Sequence, residues 1–284
     1  MQRHVDHGRQ GAAGPPRSIP VFFALAFAIS WAFWALAILA GDTALGVFGF
    51  YGGGFGPLLA ALITTRLVGR SPLAWFKGLW RWRVVPGFWL FAFGFPIAMA
   101  LAASALHAAL GGQVTLDGLG GRLALWLPTL ATVTLIGGGN EEPGWRGFAL
   151  PELQQTLSPM LATLGLGVLW ALWHIPLIGV NGGGFGAFLL SGPERIAIGL
   201  TLISITTHAF WYTWLFNRTG SVLLCAILHG SYNAANRQFV LVPEASLNGG
   251  DETRLLATMT GLLVASVIGL LFATGGRLGK AEAS

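Results

Sequence analysis

The chain has 284 residues, 16 of them basic and 11 acidic, for a formal net charge of +5. Apolar types make up 54% and charged types 10%, against about 25% charged in ordinary soluble domains. Such a composition excludes a soluble globular fold, which needs more surface charge, and intrinsic disorder, which needs less apolar bulk.

A membrane-crossing helix needs about 20 mostly apolar residues to span about 30 Å of hydrocarbon. In chain order the apolar runs are Ile19–Ala40, Ala44–Thr65, Pro86–Leu110, Leu123–Ile136, Met160–Val180, Ile196–Phe216, Ser221–Val242 and Leu255–Thr274. The expectation is an all-α polytopic membrane protein of about eight transmembrane helices around a polar intramembrane cavity. Residues 19–274 form a single transmembrane domain. Residues 1–18, rich in Gly, Ala and Pro, read as a flexible cytoplasmic tail, and 275–284 as a second cytoplasmic tail. The first run is too long, and its polar leader too extended, for a cleaved signal sequence.

Basic residues orient the bundle. With the amino terminus inside, the inner segments hold Arg3, Arg9, Arg17, Arg66, Arg70, Lys77, Arg81, Arg83, Arg146, Arg218, Arg277 and Lys280, while the outer ones hold Arg122, Arg195, Arg237 and Arg254. This sets both termini in the cytoplasm of a multi-pass protein of the cell's inner (plasma) membrane. The lipid bilayer is an expected partner and nucleic acid is not, because the basic residues are not interleaved with a solvated aromatic surface.

Ionisable groups inside hydrocarbon are costly, so each is a functional candidate. They cluster in three places: Glu141-Glu142-Pro143-Gly144-Trp145-Arg146 at the end of the fourth run, Trp170 to Pro176 in the fifth, and His229 to Asn233 in the seventh. Residues four apart share a helical face, so Glu142 can pair with Arg146, while Glu141 points about 100° away and is left free for chemistry. Pro143 and the preceding Gly137-Gly138-Gly139-Asn140 predict a helix break, tolerated at membrane depth only against protein or a wet cavity. His229 and Asn233 share a face. His174 sits about fourteen residues into its run, roughly 21 Å at 1.5 Å per residue. A carboxylate, two imidazoles and a carboxamide are the parts of a hydrolytic site: a base toward water, and groups to bind metal or steady an oxyanion. His107 and His208 read as interhelical hydrogen bonders, and Cys225 as a small core hydrophobe.

The series Glu141-Glu142-x-x-x-Arg146, Trp170-x-x-x-His174 and His229-x-x-x-Asn233 resembles the motifs of the CPBP family of intramembrane endopeptidases. That family includes the type II CAAX prenyl proteases and bacterial abortive-infection and bacteriocin-immunity proteins. Two departures stand out: Trp170 occupies a position where the family more often has Phe, and Gly230-Ser231-Tyr232 is an uncommon filling. The first is expected to preserve a flat apolar wall. The resemblance implies hydrolysis of a peptide bond in a membrane-associated protein or peptide, inside a cavity opening to the cytoplasmic half. Glu141 would activate water with His174 as its partner. His229 and Asn233 would bind a metal or the oxyanion, and Glu142, Arg146 and Trp170 would support the site. It leaves two mechanisms open, a divalent metal such as zinc held by His174, His229 and Glu141, slightly preferred, and a metal-free glutamate-dependent one. The rival readings are a proton- or ion-coupled transporter and a catalytically inactive scaffold or immunity protein.

Overall fold

The computed structural model describes residues 18–181, 192–246 and 250–281. The expected tail over 1–18 lies outside the described residues except for Ser18, as do the last three residues of the expected carboxy-terminal tail. Every element among the described residues is helical. The order is α1 (Ser18–Ala40), α2 (Ala44–Gly53), α3 (Gly56–Leu67), α4 (Pro72–Gly78), α5 (Pro86–Ala109) and α6 (Leu119–Ile136). A broken stretch follows: a 3-10 turn (Gly139–Glu141), α7 (Glu142–Gly144), a π-helical turn (Trp145–Ala149) and α8 (Leu150–Leu153). The chain ends with α9 (Pro159–Trp173), α10 (Ile175–Asn181), α11 (Gly192–Thr219), α12 (Val222–Gln238) and α13 (Gly250–Thr274).

Among the described residues five helices are long and apolar enough to cross a membrane, and α2 with α3 makes six if that bent pair counts as one span. The expected number of eight is not reproduced. The run Ala44–Thr65 is bent by 55° between α2 and α3. The run Met160–Val180 stops at Trp173 and restarts at Ile175, leaving α9 only 15 residues long. The seventh run gives a helix of 17 residues, α12, too short and too rich in polar side chains to count as a span by length and apolarity. The fourth, by contrast, extends through its break as one 35-residue span, Leu119–Leu153.

Each break is stitched by a side chain, because hydrocarbon offers no water to satisfy a freed backbone group. At the α2–α3 bend, Trp34 Nε1 donates to Phe50 O at 3.1 Å and Ser30 Oγ to Gly53 O at 2.7 Å. At the end of α9, Trp31 Nε1 donates to Trp173 O at 3.1 Å. Helix starts use ordinary caps: Ser158 Oγ accepts from Leu161 N, with Pro159 in the first turn, and Ser221 Oγ accepts from Leu224 N.

The core lies between α1, α3, α9, α11 and α12, and is strongly aromatic: Phe22, Trp34, Trp145, Phe148, Trp173 and Tyr212 are all buried within it. Small residues let the backbones approach. A Cβ on Gly167 would stand 2.8 Å from Thr206 O, and one on Gly144 only 2.5 Å from the backbone of Pro57. The broken stretch is thereby pressed onto α3. Gly144→Ala is expected to destabilise the protein by about 1–3 kcal/mol through overpacking. Gly165→Ala, in open space, should leave stability unchanged or slightly raised. The midpoint of unfolding in a denaturing-detergent titration separates the two.

Candidate active site

The break after α6 exists because three glycines and a proline cannot sustain a helix there. Gly138 adopts φ +145, a conformation open to glycine, and its N–H donates to Asn140 Oδ1 at 2.9 Å. A Cβ on Gly138 would come within 2.5 Å of His229 Nε2 and 2.8 Å of Asn233 Nδ2, so bare backbone faces both side chains. The chain then turns once as a 3-10 turn and presents two adjacent glutamates in opposite ways.

Glu142 is fully buried, and its Oε1 accepts from Arg146 Nη1 at 3.0 Å and faces His229 Nδ1 at 2.9 Å. The Arg146 guanidinium carbon lies 4.5 Å from the ring centroids of both Trp170 and Tyr212, so two aromatic rings, themselves edge to face at 5.7 Å, bear on the cation. The predicted Glu142–Arg146 pair is therefore present. Its extension to His229 is new, because spacing along one helix says nothing about a partner 87 residues away.

Glu141 is 5% exposed and points the other way. Its Oε2 accepts from Trp170 Nε1 at 2.8 Å and from Trp145 Nε1 at 3.2 Å. Oε1 takes no hydrogen bond from a described residue and is left to the cavity that Glu141 lines. Trp170 is thus more than a flat apolar wall, since its indole N–H grips the carboxylate, which a phenyl ring cannot do. Trp145 does the same and was not singled out. Its presence four residues after Glu141 was the available signal.

His174 sits at the cap of α9 with Nδ1 2.8 Å from Trp170 O. A carbonyl only accepts, so Nδ1 carries the proton and Nε2 keeps its lone pair. Asn233 spends one Nδ2 hydrogen on Gly137 O at 2.9 Å. Glu141, His174, His229 and Asn233 all line one cavity of about 440 Å³, together with Gly138, Trp170 and Tyr212. The four side chains expected to meet do meet.

Three expectations change. The cavity takes Asn236 and Arg237 from the late turns of α12 into its wall, and no residue from the end bearing Arg81, Arg218 and Lys280. It is displaced away from the more basic end, where an opening was expected, because α9 and α12 both start at that end and carry their polar residues in later turns. His208, read as an interhelical bonder, bonds Ser204 O of its own helix at 2.8 Å and lines the cavity. His107 is fully buried beside Gly112, and neither ring nitrogen has a partner among the described residues. Cys225 is fully buried away from the cavity, as expected of a core hydrophobe.

Among the described residues no three His, Cys, Asp or Glu side chains are grouped closely enough to hold an ion as they stand. Nδ1 of His174 and of His229 and Oε2 of Glu141 are committed to protein partners, which leaves Nε2 of each histidine and Oε1 of Glu141 as the atoms that would hold a metal.

A buried carboxylate, two imidazoles and a carboxamide thus surround one cavity of a multi-pass helical membrane protein. Residues 123–235 match the family model described as type II CAAX prenyl endopeptidase Rce1-like. A CAAX prenyl protease 2 of Methanococcus maripaludis is 31% identical over 130 residues, which cover 45% of this chain and 44% of that protein. The matched part therefore spans under half the length of this relative. The segment that carries the three motifs is thus similar to type II CAAX prenyl endopeptidases, in line with the family those motifs resemble.

Breaking the buried pair should be costly. Glu142→Gln is expected to destabilise by about 3–5 kcal/mol, since it strands the Arg146 charge in an apolar site. Glu142→Gln with Arg146→Gln should cost less than the sum of the single variants. A double-mutant cycle on unfolding midpoints measures this.

Proposed function

We propose that the protein is an intramembrane endopeptidase that hydrolyses a peptide bond of a membrane-associated protein substrate, with Glu141 as the base that activates water. The observation that carries this reading is the grip on Glu141. Two indole N–H groups hold one carboxylate oxygen, and the other faces the same cavity as His174, His229 and Asn233. Its geometry is that of a fixed base with one working oxygen.

The reaction follows from these positions. A water hydrogen-bonded to Glu141 Oε1 attacks the scissile carbonyl and gives its proton to the carboxylate. His174, whose lone pair at Nε2 is fixed by the bond from Nδ1 to Trp170 O, orients the same water. Negative charge gathers on the former carbonyl oxygen. The second Nδ2 hydrogen of Asn233 stabilises it, beside His229, whose Nδ1 is held against Glu142. Glu141 then returns the proton to the leaving amine, and the peptide bond breaks. No step in this reading requires a resident metal.

Substrates approach from the bilayer in this reading, because Tyr51, Thr132 and Ile136 line the cavity and are also exposed on the outside of the bundle. We place the protein in the cell's plasma membrane with its basic end toward the cytoplasm, supported by the distribution of Lys and Arg.

The test is cleavage of a membrane-tethered reporter by purified protein in lipid vesicles. Glu141→Gln should lower the rate by about 10²–10⁴-fold without shifting the unfolding midpoint greatly. Equal cleavage by both proteins would sink the assignment. Trp170→Phe keeps the ring and removes one charge-assisted hydrogen bond, and should slow cleavage about tenfold. Extensive chelation should leave the rate unchanged. A loss restored by added zinc would instead place a metal among His174, His229 and Glu141.

A further inference from the structure

Far from the cavity, at the basic end, the chain after α13 does not trail away. It folds back beneath α11 through Gly275, Gly276, Leu278 and Gly279, all with positive φ. Leu278, at φ 48, is the one non-glycine residue with positive φ among the described residues, and it is fully buried. Asn217 Nδ2 donates to Leu278 O at 3.0 Å, and Lys280 Nζ donates to Gln154 O at 2.9 Å. A Cβ on Gly279 would stand 2.7 Å from Cδ and Cγ of Arg218. Holding a leucine in a left-handed conformation costs on the order of 1 kcal/mol and persists only where surrounding contacts impose it.

This turn encloses a pocket of about 490 Å³ lined by Trp214, Arg218, Arg277 and Lys280, with no acidic side chain among its described lining residues. A second cavity of about 590 Å³ adjoins it and shares Arg277. Its walls are mostly apolar, with Met160, Ile268, Leu271 and Phe272. Phe272 is 84% exposed on the flank of α13, where lipid tails run. A cationic pocket thus opens onto an apolar groove at the end of two membrane-length helices.

We propose that this composite site binds one anionic glycerophospholipid of the bilayer, its phosphate headgroup among Arg218, Arg277 and Lys280 and an acyl chain along Ile268, Leu271 and Phe272. Charge complementarity and depth both argue for it. Cationic side chains at the ends of membrane helices attract anionic headgroups, and an amphiphile alone uses both halves of the site. Burial lowers the Lys280 pKa from its ordinary value, and an adjacent phosphate would push it back up. The site is separate from the proposed catalytic cavity and does not depend on how that cavity is read.

The experiment is native mass spectrometry of the detergent-purified full chain titrated with phosphatidylglycerol, phosphatidylcholine or inorganic phosphate. Wild type should retain one phosphatidylglycerol in preference to phosphatidylcholine, and phosphate alone should not displace it. Arg218→Gln and Lys280→Gln should each weaken that binding about fivefold. Lys280→Gln keeps a donor for Gln154 O, so it tests charge even if Arg218→Gln disturbs the turn. Arg83→Gln, at the same end but outside the pocket, should have no effect. Equal retention of the two lipids, an equal loss in Arg83→Gln, or displacement by phosphate would overturn the proposal.

Discussion

The buried triad of Glu142, Arg146 and His229 is the constraint on which the rest of the architecture depends. An ionised carboxylate in an apolar interior loses several kcal/mol of hydration, which only a close counter-charge and good hydrogen bonds offset. Here one oxygen, Glu142 Oε1, serves both Arg146 and His229, and the guanidinium lies against Trp170 and Tyr212. Those contacts tie the broken stretch after α6 to α9, α11 and α12 at once. The π-helical turn over Trp145–Ala149 and the tight approach of Gly144 to Pro57 are local distortions that the triad holds in place. With Glu142 so occupied, its neighbour is forced to face elsewhere, and elsewhere is the cavity.

Broken helices and the candidate site are one design problem. A break at membrane depth frees carbonyls that water cannot reach, and the side chains that satisfy them are those offered for chemistry. Asn233 bonds Gly137 O, and His174 bonds Trp170 O. Each bond fixes one end of a polar side chain and turns the other toward the cavity. Removing the polar group therefore damages the backbone as well as the pocket, so catalytic and structural losses at these two positions are coupled. At Glu141 they are not, because its partners are indole N–H groups that can hydrogen-bond a neutral amide in its place.

The sequence made the membrane class, the helical fold and the four cavity residues legible, because a charge in an apolar run is conspicuous and period 3.6 says which charges share a face. It also placed His174 well along its run from the basic end, but not the side on which the cavity opens, which was expected at that end and lies away from it. Helix lengths were less legible. Apolar composition cannot distinguish Ala44–Thr65 as one span from two short helices, since the bend depends on Ser30 and Trp34 of a different helix reaching across to Gly53 and Phe50. The role of Trp170 was hidden for a similar reason. An indole reads as apolar bulk until its N–H is seen to have a partner, and that partner, Glu141, lies 29 residues away.

Trp170 then links the two glutamates physically. Its N–H holds Glu141 while its ring face carries the Arg146 cation that neutralises Glu142. A phenyl ring would keep the second contact and lose the first. With phenylalanine there, Trp145 alone would orient the Glu141 carboxylate, through a longer bond of 3.2 Å within its own turn. The indole makes the base rigid from two directions, one within its own segment and one from α9. A second donor on one oxygen also draws negative charge onto that oxygen and away from the working one, weakening the base slightly while fixing its direction. That exchange favours a site in which orientation limits the rate more than basicity does, as is expected where one water must be held in line with both the carboxylate and the scissile carbonyl.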